Sequence, residues 1–160
     1  MRLSTRARYA LHIVLDVARH EEEGKPVSLS SVAERCHLSR GYLEQIAISL
    51  KNAKLIRGMP GRKGGYHLSR PADQVRLGEV IEAMIGPVTI VECIDSPEDC
   101  TKSEGCQNRL VYSLLNRKIR DVLYGCTIAD LLDPGFVDTL AGTEDRPSLK
   151  MTTSEKTSRI

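Results

Sequence analysis

Apolar and polar positions change period several times along the chain. From Thr5 to about Glu22, Tyr9, Ala10, Ile13, Val14, Val17 and Ala18 recur at spacings of three and four, the stripe of an amphipathic helix that Ser4 caps. Asp16 and Arg19 fall off that stripe and are expected to face water. Leu29, Val32, Ala33 and Cys36 form one face of a second, shorter helix, capped by Ser28 or Ser30 and broken at His37-Leu38. Ser39 then caps a third helix, with Leu43, Ile46, Ala47 and Leu50 inward. Arg40, Gly41, Tyr42, Glu44 and Gln45 are left outward near its N-terminus. Leu55-Ile56-Arg57 and Gly65-Tyr66-His67-Leu68 read as two short strands around a turn-rich loop that carries Arg62 and Lys63.

Beyond Pro71, Arg76–Ile85 is a second amphipathic pattern, which Gly86-Pro87 ends. Val88–Val91 reads as extended and Glu92–Gly105 as a polar loop. Gln107–Tyr124 carries Leu110, Val111, Leu114, Leu115, Ile119, Val122 and Leu123, more apolar surface than an isolated helix can hide. Its partner is either the first helix or the same helix of a second subunit, and the second is favoured. Thr127 caps a short helix through Leu132. From about Ala141 the chain is polar and aperiodic, as a disordered tail would be.

Two short helices joined by a tight turn, the second with a polar N-terminal edge, make a helix-turn-helix; a hairpin directly after it makes a wing. The expected fold is therefore mainly α with a small β-hairpin wing: a winged helix-turn-helix plus a long dimerisation helix. It divides into a DNA-binding domain (1–72), a connecting helix and extended segment (73–92), a cysteine loop (93–106), the dimerisation and short C-terminal helices (107–135), and a tail (141–160). The bland reading is a helical hairpin beside an unrelated surface loop. Charge favours the first reading. Residues 1–76 hold 14 Lys/Arg against 7 Asp/Glu, whereas residues 77–160 hold 9 against 14, so the basic excess coincides with the helix-turn-helix and wing.

On that reading Ser39, Arg40, Gly41, Tyr42, Glu44 and Gln45 face a double-stranded DNA operator. Glu44 can accept from cytosine and Gln45 can pair with adenine in the major groove. Arg57, Arg62 and Lys63 supply phosphate and minor-groove contacts. Dimers of such modules read two half-sites about one DNA turn apart.

The N-terminus lacks the pattern of a signal peptide, and no apolar run approaches the ~20 residues that span a bilayer, so a cytoplasmic protein without a membrane partner is expected. There the five cysteines are thiols or metal ligands rather than structural disulfides. Cys93, Cys100 and Cys106 are spaced C-x6-C-x5-C in a polar loop with no core of its own. Soft thiolates select zinc, copper(I) and iron–sulfur clusters. No short C-x(2–4)-C pair of the zinc type occurs there, and longer gaps suit a cluster, whose fourth ligand is not evident. His12, Asp95, Glu98, Asp99, Glu104 or an outside thiol could serve. Metal-free, redox-active thiols are the alternative. Cys36 reads as packing, and Cys126, at a loop beyond the long helix, is a lesser ligand candidate, as readily incidental. No phosphate-binding loop, nucleophile motif or paired carboxylates indicate an enzyme.

Met-Arg-Leu-Ser at 1–4, Arg8-Tyr9-Ala10, Tyr42-Leu43-Glu44-Gln45, Gly64-Gly65-Tyr66, Gly78-Glu79-Val80-Ile81, the three cysteines and Thr127–Leu131 stand in the order seen in the IscR-like regulators. This is the bacterial winged-helix family that includes iron–sulfur-cluster and nitric-oxide-sensing repressors and the cysteine-metabolism regulator. The resemblance spans about residues 1–135. It implies a homodimeric transcription factor, usually a repressor, whose operator affinity depends on a cluster, here [2Fe-2S], at Cys93, Cys100 and Cys106. Departures from the family pattern accompany it. The first cysteine gap is one residue longer than in the best-known cluster regulator. Arg109 stands where that regulator has a histidine ligand, and an arginine, always protonated, cannot replace it. Arg8 stands where the nitric-oxide sensors use an acid. Pro60 replaces the usual minor-groove arginine of the wing, a contact that Arg62 and Lys63 are expected to take over. The rival reading keeps the DNA-binding dimer and controls it by thiol oxidation, zinc or a partner protein; an iron–sulfur carrier comes third.

Overall fold

The computed structural model describes residues 3–21, 25–96 and 106–143. Helix α1 spans Thr5–His20, and the Ser4 hydroxyl accepts from the Ala7 amide at 3.1 Å. Helix α2 spans Leu29–Cys36 and is capped by Ser28 rather than Ser30, with 3.1 Å from the Ser31 amide to the Ser28 hydroxyl. His37 closes it in the left-handed region, φ 53°, and so reverses the chain before α3, Arg40–Asn52.

Strands β1 (Ile56–Met59) and β2 (Gly65–Leu68) pair antiparallel with Ile56 opposite Leu68 and Met59 opposite Gly65. Val27 adds a bridge to Tyr66 on the other side of β2, through bonds of 2.9 and 2.8 Å. The wing is thereby sewn to the segment that enters α2. After a 3-10 turn at Ala72–Gln74 come α4 (Leu77–Ile85), a second 3-10 turn (Glu92–Ile94), α5 (Gln107–Gly125), α6 (Ile128–Leu132) and α7 (Pro134–Thr143). No helix among the described residues is long and apolar enough to cross a membrane.

The core joins Ile13, Val14 and Val17 of α1 to Val32 of α2 and to Leu43, Ile46 and Leu50 of α3. Leu55, Ile56 and Leu68 bring in the wing base, and Val75, Val80 and Ile128 bring in α4 and α6. Burying a side chain of this size contributes roughly 1.5–3 kcal/mol, so this cluster fixes α3 and the wing relative to α1. A second, smaller cluster of Ala7, Ile81 and Val88 receives Ile119 and Leu123 of α5.

Two expectations need correcting. Asp16 does not face water: it is 8% exposed, and its carboxylate accepts from Arg35 Nε and Nη2 at 2.8 and 2.7 Å. Val88–Val91, expected as an extended segment, is a strap held by the Glu82 and Asn116 side chains. The residues following α6 form α7, which runs through Thr143 and takes in the first three positions of the expected tail. The rest of that tail, 144–160, lies outside the described residues.

Candidate nucleic-acid interface

Ser39 starts α3 by accepting from the Tyr42 amide at 3.4 Å, a long bond that still fixes the first turn. Because Leu43, Ile46, Ala47 and Leu50 are fully buried, the other faces of α3 are turned out, and Ser39, Arg40, Gly41, Tyr42, Glu44 and Gln45 are all exposed. These outward residues fall on two flanks. On the flank toward α1, Tyr42 meets Tyr9 edge to face at 5.8 Å. Arg6 Nη2 donates to the Ser49 hydroxyl at 3.1 Å and toward the Gln45 carbonyl at 3.4 Å. Arg6 therefore braces α3 from α1, a role that local sequence pattern does not reveal.

On the other flank, Arg40 Nε donates to Glu44 Oε1 at 3.0 Å, and Arg40 Nη1 reaches Ser30 at 3.4 Å. Both members of that ion pair are well exposed, so it contributes little stability and opens readily to another partner. Arg40, Glu44, Ile48 and Lys51 form one wall of a cleft of about 890 Å³, and the wing, including Met59 and Arg62, forms the other. Arg62 is thus brought to the same cleft as Arg40 and Glu44. Lys63 is exposed at the wing tip, outside the cleft lining. Arg57 does not join them: it opens beside Glu21 and Arg70 on a separate concavity.

The wing's position depends on Glu21. Its carboxylate accepts from the Leu68 amide at 3.1 Å and pairs with His67 Nδ1 at 2.9 Å. His67 is 3% exposed, and its Nε2 lies 3.0 Å from Met59 Sδ. An acid just past the C-terminus of α1 is unfavourable for the helix dipole, and its long-range partners account for it.

A second polar centre lies at Glu82 of α4. One carboxylate oxygen accepts from the Val88 amide and from Arg120 Nη1, each at 3.1 Å; the other accepts from the Tyr124 hydroxyl. That hydrogen bond raises the Tyr124 phenol above its ordinary range. Asn116, 7% exposed on α5, accepts from the Ile90 amide at 3.1 Å. The strap leading to Cys93 is therefore fastened to both α4 and α5.

Cys93 lies in the second 3-10 turn, which packs on α5, and Cys106 is the residue just before α5; both are half-buried free thiols. Cys100 lies outside the described residues. Among the described residues no group of three or more His, Cys, Asp and Glu is placed to hold a metal ion. Cys36 packs against the core as expected, and burial pushes its thiol up, which makes it a poor nucleophile. Cys126 caps the end of α5. Along α5, Leu110, Val111, Leu114, Leu115 and Val122 are 43–74% exposed, an apolar row without cover in the single chain.

The Rrf2 family model, described as an iron-dependent transcriptional regulator, matches residues 3–134. The HTH-type transcriptional regulator IscR of Erwinia tasmaniensis is 37% identical over 133 residues, covering 83% of this chain and 79% of that protein. The structure of CymR, the global cysteine regulator of B. subtilis, superposes with a TM-score of 0.71 at 32% identity, covering 82% of this chain and 95% of that one. The T. potens IscR structure gives 0.67 at 28% identity, covering 92% and 93%. These relatives are named as regulators, not enzymes. The chain is a winged-helix transcriptional regulator and belongs to the Rrf2 family.

Proposed function

We propose that this regulator is a cytoplasmic homodimer, probing operator DNA with α3 and the wing, and that its cysteine loop sets operator affinity. The observation that carries the DNA reading is the cleft in which Arg40, Glu44 and Lys51 of α3 confront Arg62 of the wing. Ser39, Gly41, Tyr42 and Gln45 complete the α3 edge, and Lys63 and Arg57 add phosphate contacts at the tip and outer side of the wing. The uncovered row on α5 supports the dimer, because exposed Leu and Val at helical spacing demand a partner.

The donor chemistry of the loop fits an iron–sulfur cluster. Cys93 and Cys106 are free, half-buried thiols on elements that pack together, and Cys100 supplies a third. These three residues would hold the group, which when bound supplies redox- and ligand-sensitive charge at the loop. The chain's own part is mechanical. Glu82 and Asn116 grip the backbone of the strap, α4 packs on α1, and α1 braces α3 through Arg6. A change in the loop thus has a continuous route to the DNA-facing helix. Operator occupancy by such a dimer represses wherever the operator overlaps a promoter.

The second reading controls the same dimer by thiol oxidation, zinc or a partner protein. The likeness to a protein titled a global cysteine regulator favours it. Absorption spectra with iron and sulfide analysis, on anaerobically purified wild type and Cys100→Ala, separate the two. Charge-transfer bands and stoichiometric iron, lost in the variant, are expected. A wild type that stays colourless after reconstitution would leave only the second reading.

A further inference from the structure

Ile48 is an exposed aliphatic residue of α3 whose chemistry the interface described above does not use. It is 51% exposed, whereas Leu43, Ile46 and Leu50 are fully buried. A lone exposed isoleucine is ordinary on a protein surface; what distinguishes this one is its place. It follows Glu44 by four residues, as Glu44 follows Arg40, so the three stand in one row along the helix. That row lines the cleft between α3 and the wing, with Lys51 and Arg62 beside it. The cleft also takes in Leu29, Met59, Pro60 and Tyr66, while Arg40, Lys51 and Arg62 supply the cations that a polyanion needs.

We infer that Ile48 determines operator specificity by packing on the C5-methyl group of a thymine in the major groove. The chemistry selects this target, because the thymine methyl is the only apolar group that any base pair presents on its major-groove edge. The methyl read by Ile48 belongs to a base pair next to the one faced by Glu44, since the two side chains are neighbours on the same row. Arg40 and Glu44 supply polar readout at the N-terminal end of that row and Ile48 supplies apolar readout one turn further on.

The inference rests on the DNA-binding reading, and its test separates the two. Duplexes selected from a random library by the full-length protein are resynthesised with deoxyuridine replacing each thymine in turn, which removes one methyl and nothing else. Affinities are measured by fluorescence anisotropy for wild type, Ile48→Ser and Ile48→Val; an unchanged melting temperature verifies that the exposed substitutions leave the fold intact. Wild type is expected to lose about fourfold in affinity at one thymine of a half-site, the equivalent of burying one methyl group. Ile48→Ser is expected to bind the thymine and deoxyuridine duplexes equally, and Ile48→Val to retain most of the discrimination. Indifference of wild type to every deoxyuridine, or undiminished discrimination by Ile48→Ser, would overturn the inference while leaving DNA binding intact. Failure to select any duplex would overturn the DNA-binding reading and the inference with it.

Discussion

At single positions, long-range partners decide what local spacing cannot. Asp16 sits off the apolar stripe of α1, and the pattern assigns it to water; the covering group is Arg35, which arrives from α2 with two charge-assisted bonds. The same pairing raises the Arg35 guanidinium above its ordinary value. Arg35→Ala leaves a mostly buried carboxylate without its cation, and urea denaturation should show a loss of about 2–4 kcal/mol. Glu21 is a parallel case, legible only as a badly placed acid until β2 is folded against it. Two glycines make a sharp contrast. A Cβ at Gly65 would collide with the Val27 backbone across the bridge, whereas one at Gly41 meets nothing within 4 Å. Gly65→Ala should therefore cost at least about 1–3 kcal/mol in the same assay and loosen the wing. Gly41→Ala should be neutral or up to about 1 kcal/mol stabilising.

At the level of elements, caps and periodicity made α1 to α4, the wing and α6 readable. Ser4, Ser28, Ser39 and Thr127 each accept from a backbone amide at the start of their helix. Thr127 and Asp130 cap reciprocally, which lowers the Asp130 carboxyl. Helix α7 was missed although Asp133-Pro134 carries a start signal, with Asp133 accepting from the Gly135 amide at 3.0 Å and Pro134 in the first helical position. The strap at Val88–Val91 reads as extended because its residues are β-branched, and its Val88 and Ile90 amides are taken by Glu82 and Asn116. The packing of α4 on α5 is close: a Cβ on Gly78 would meet the Tyr124 ring. The phenol's bond to Glu82 raises its pKa, so its contribution is complete below the ordinary tyrosine value and fades as pH rises through the folded one. The stability difference between wild type and Tyr124→Phe should accordingly shrink above about pH 10, as followed by thermal melting in alkaline buffers. For α5, Leu114→Glu changes a residue that is 43% exposed in the single chain, so folding should survive it. Sedimentation velocity should report a monomer; a dimer of unchanged affinity would remove α5 from the proposed interface.

Across the whole molecule, the exposure of the α3 edge proposed to face DNA was legible because outward polar residues at a helix start, a basic wing and the +7 charge of residues 1–76 coincide. Less legible was how these parts are held. The sequence pattern places Arg57, Arg62 and Lys63 together, but Arg57 opens onto a separate concavity beside Glu21 and Arg70. Arg57→Ala should accordingly weaken operator binding less than Arg62→Ala in anisotropy titrations, as a peripheral phosphate contact does compared with one inside the groove. The route from Cys93 through the strap to α4, α1 and α3 appears only in three dimensions, since the packing of α4 on α1 and the bond from Arg6 to Ser49 join residues distant in sequence. The most direct measurement is operator affinity of one anaerobic preparation, assayed with its iron–sulfur content intact and again after removal of iron and sulfide. Affinities that differ by about tenfold or more are expected from a regulator controlled at this loop. Equal affinities in the two forms would contradict it.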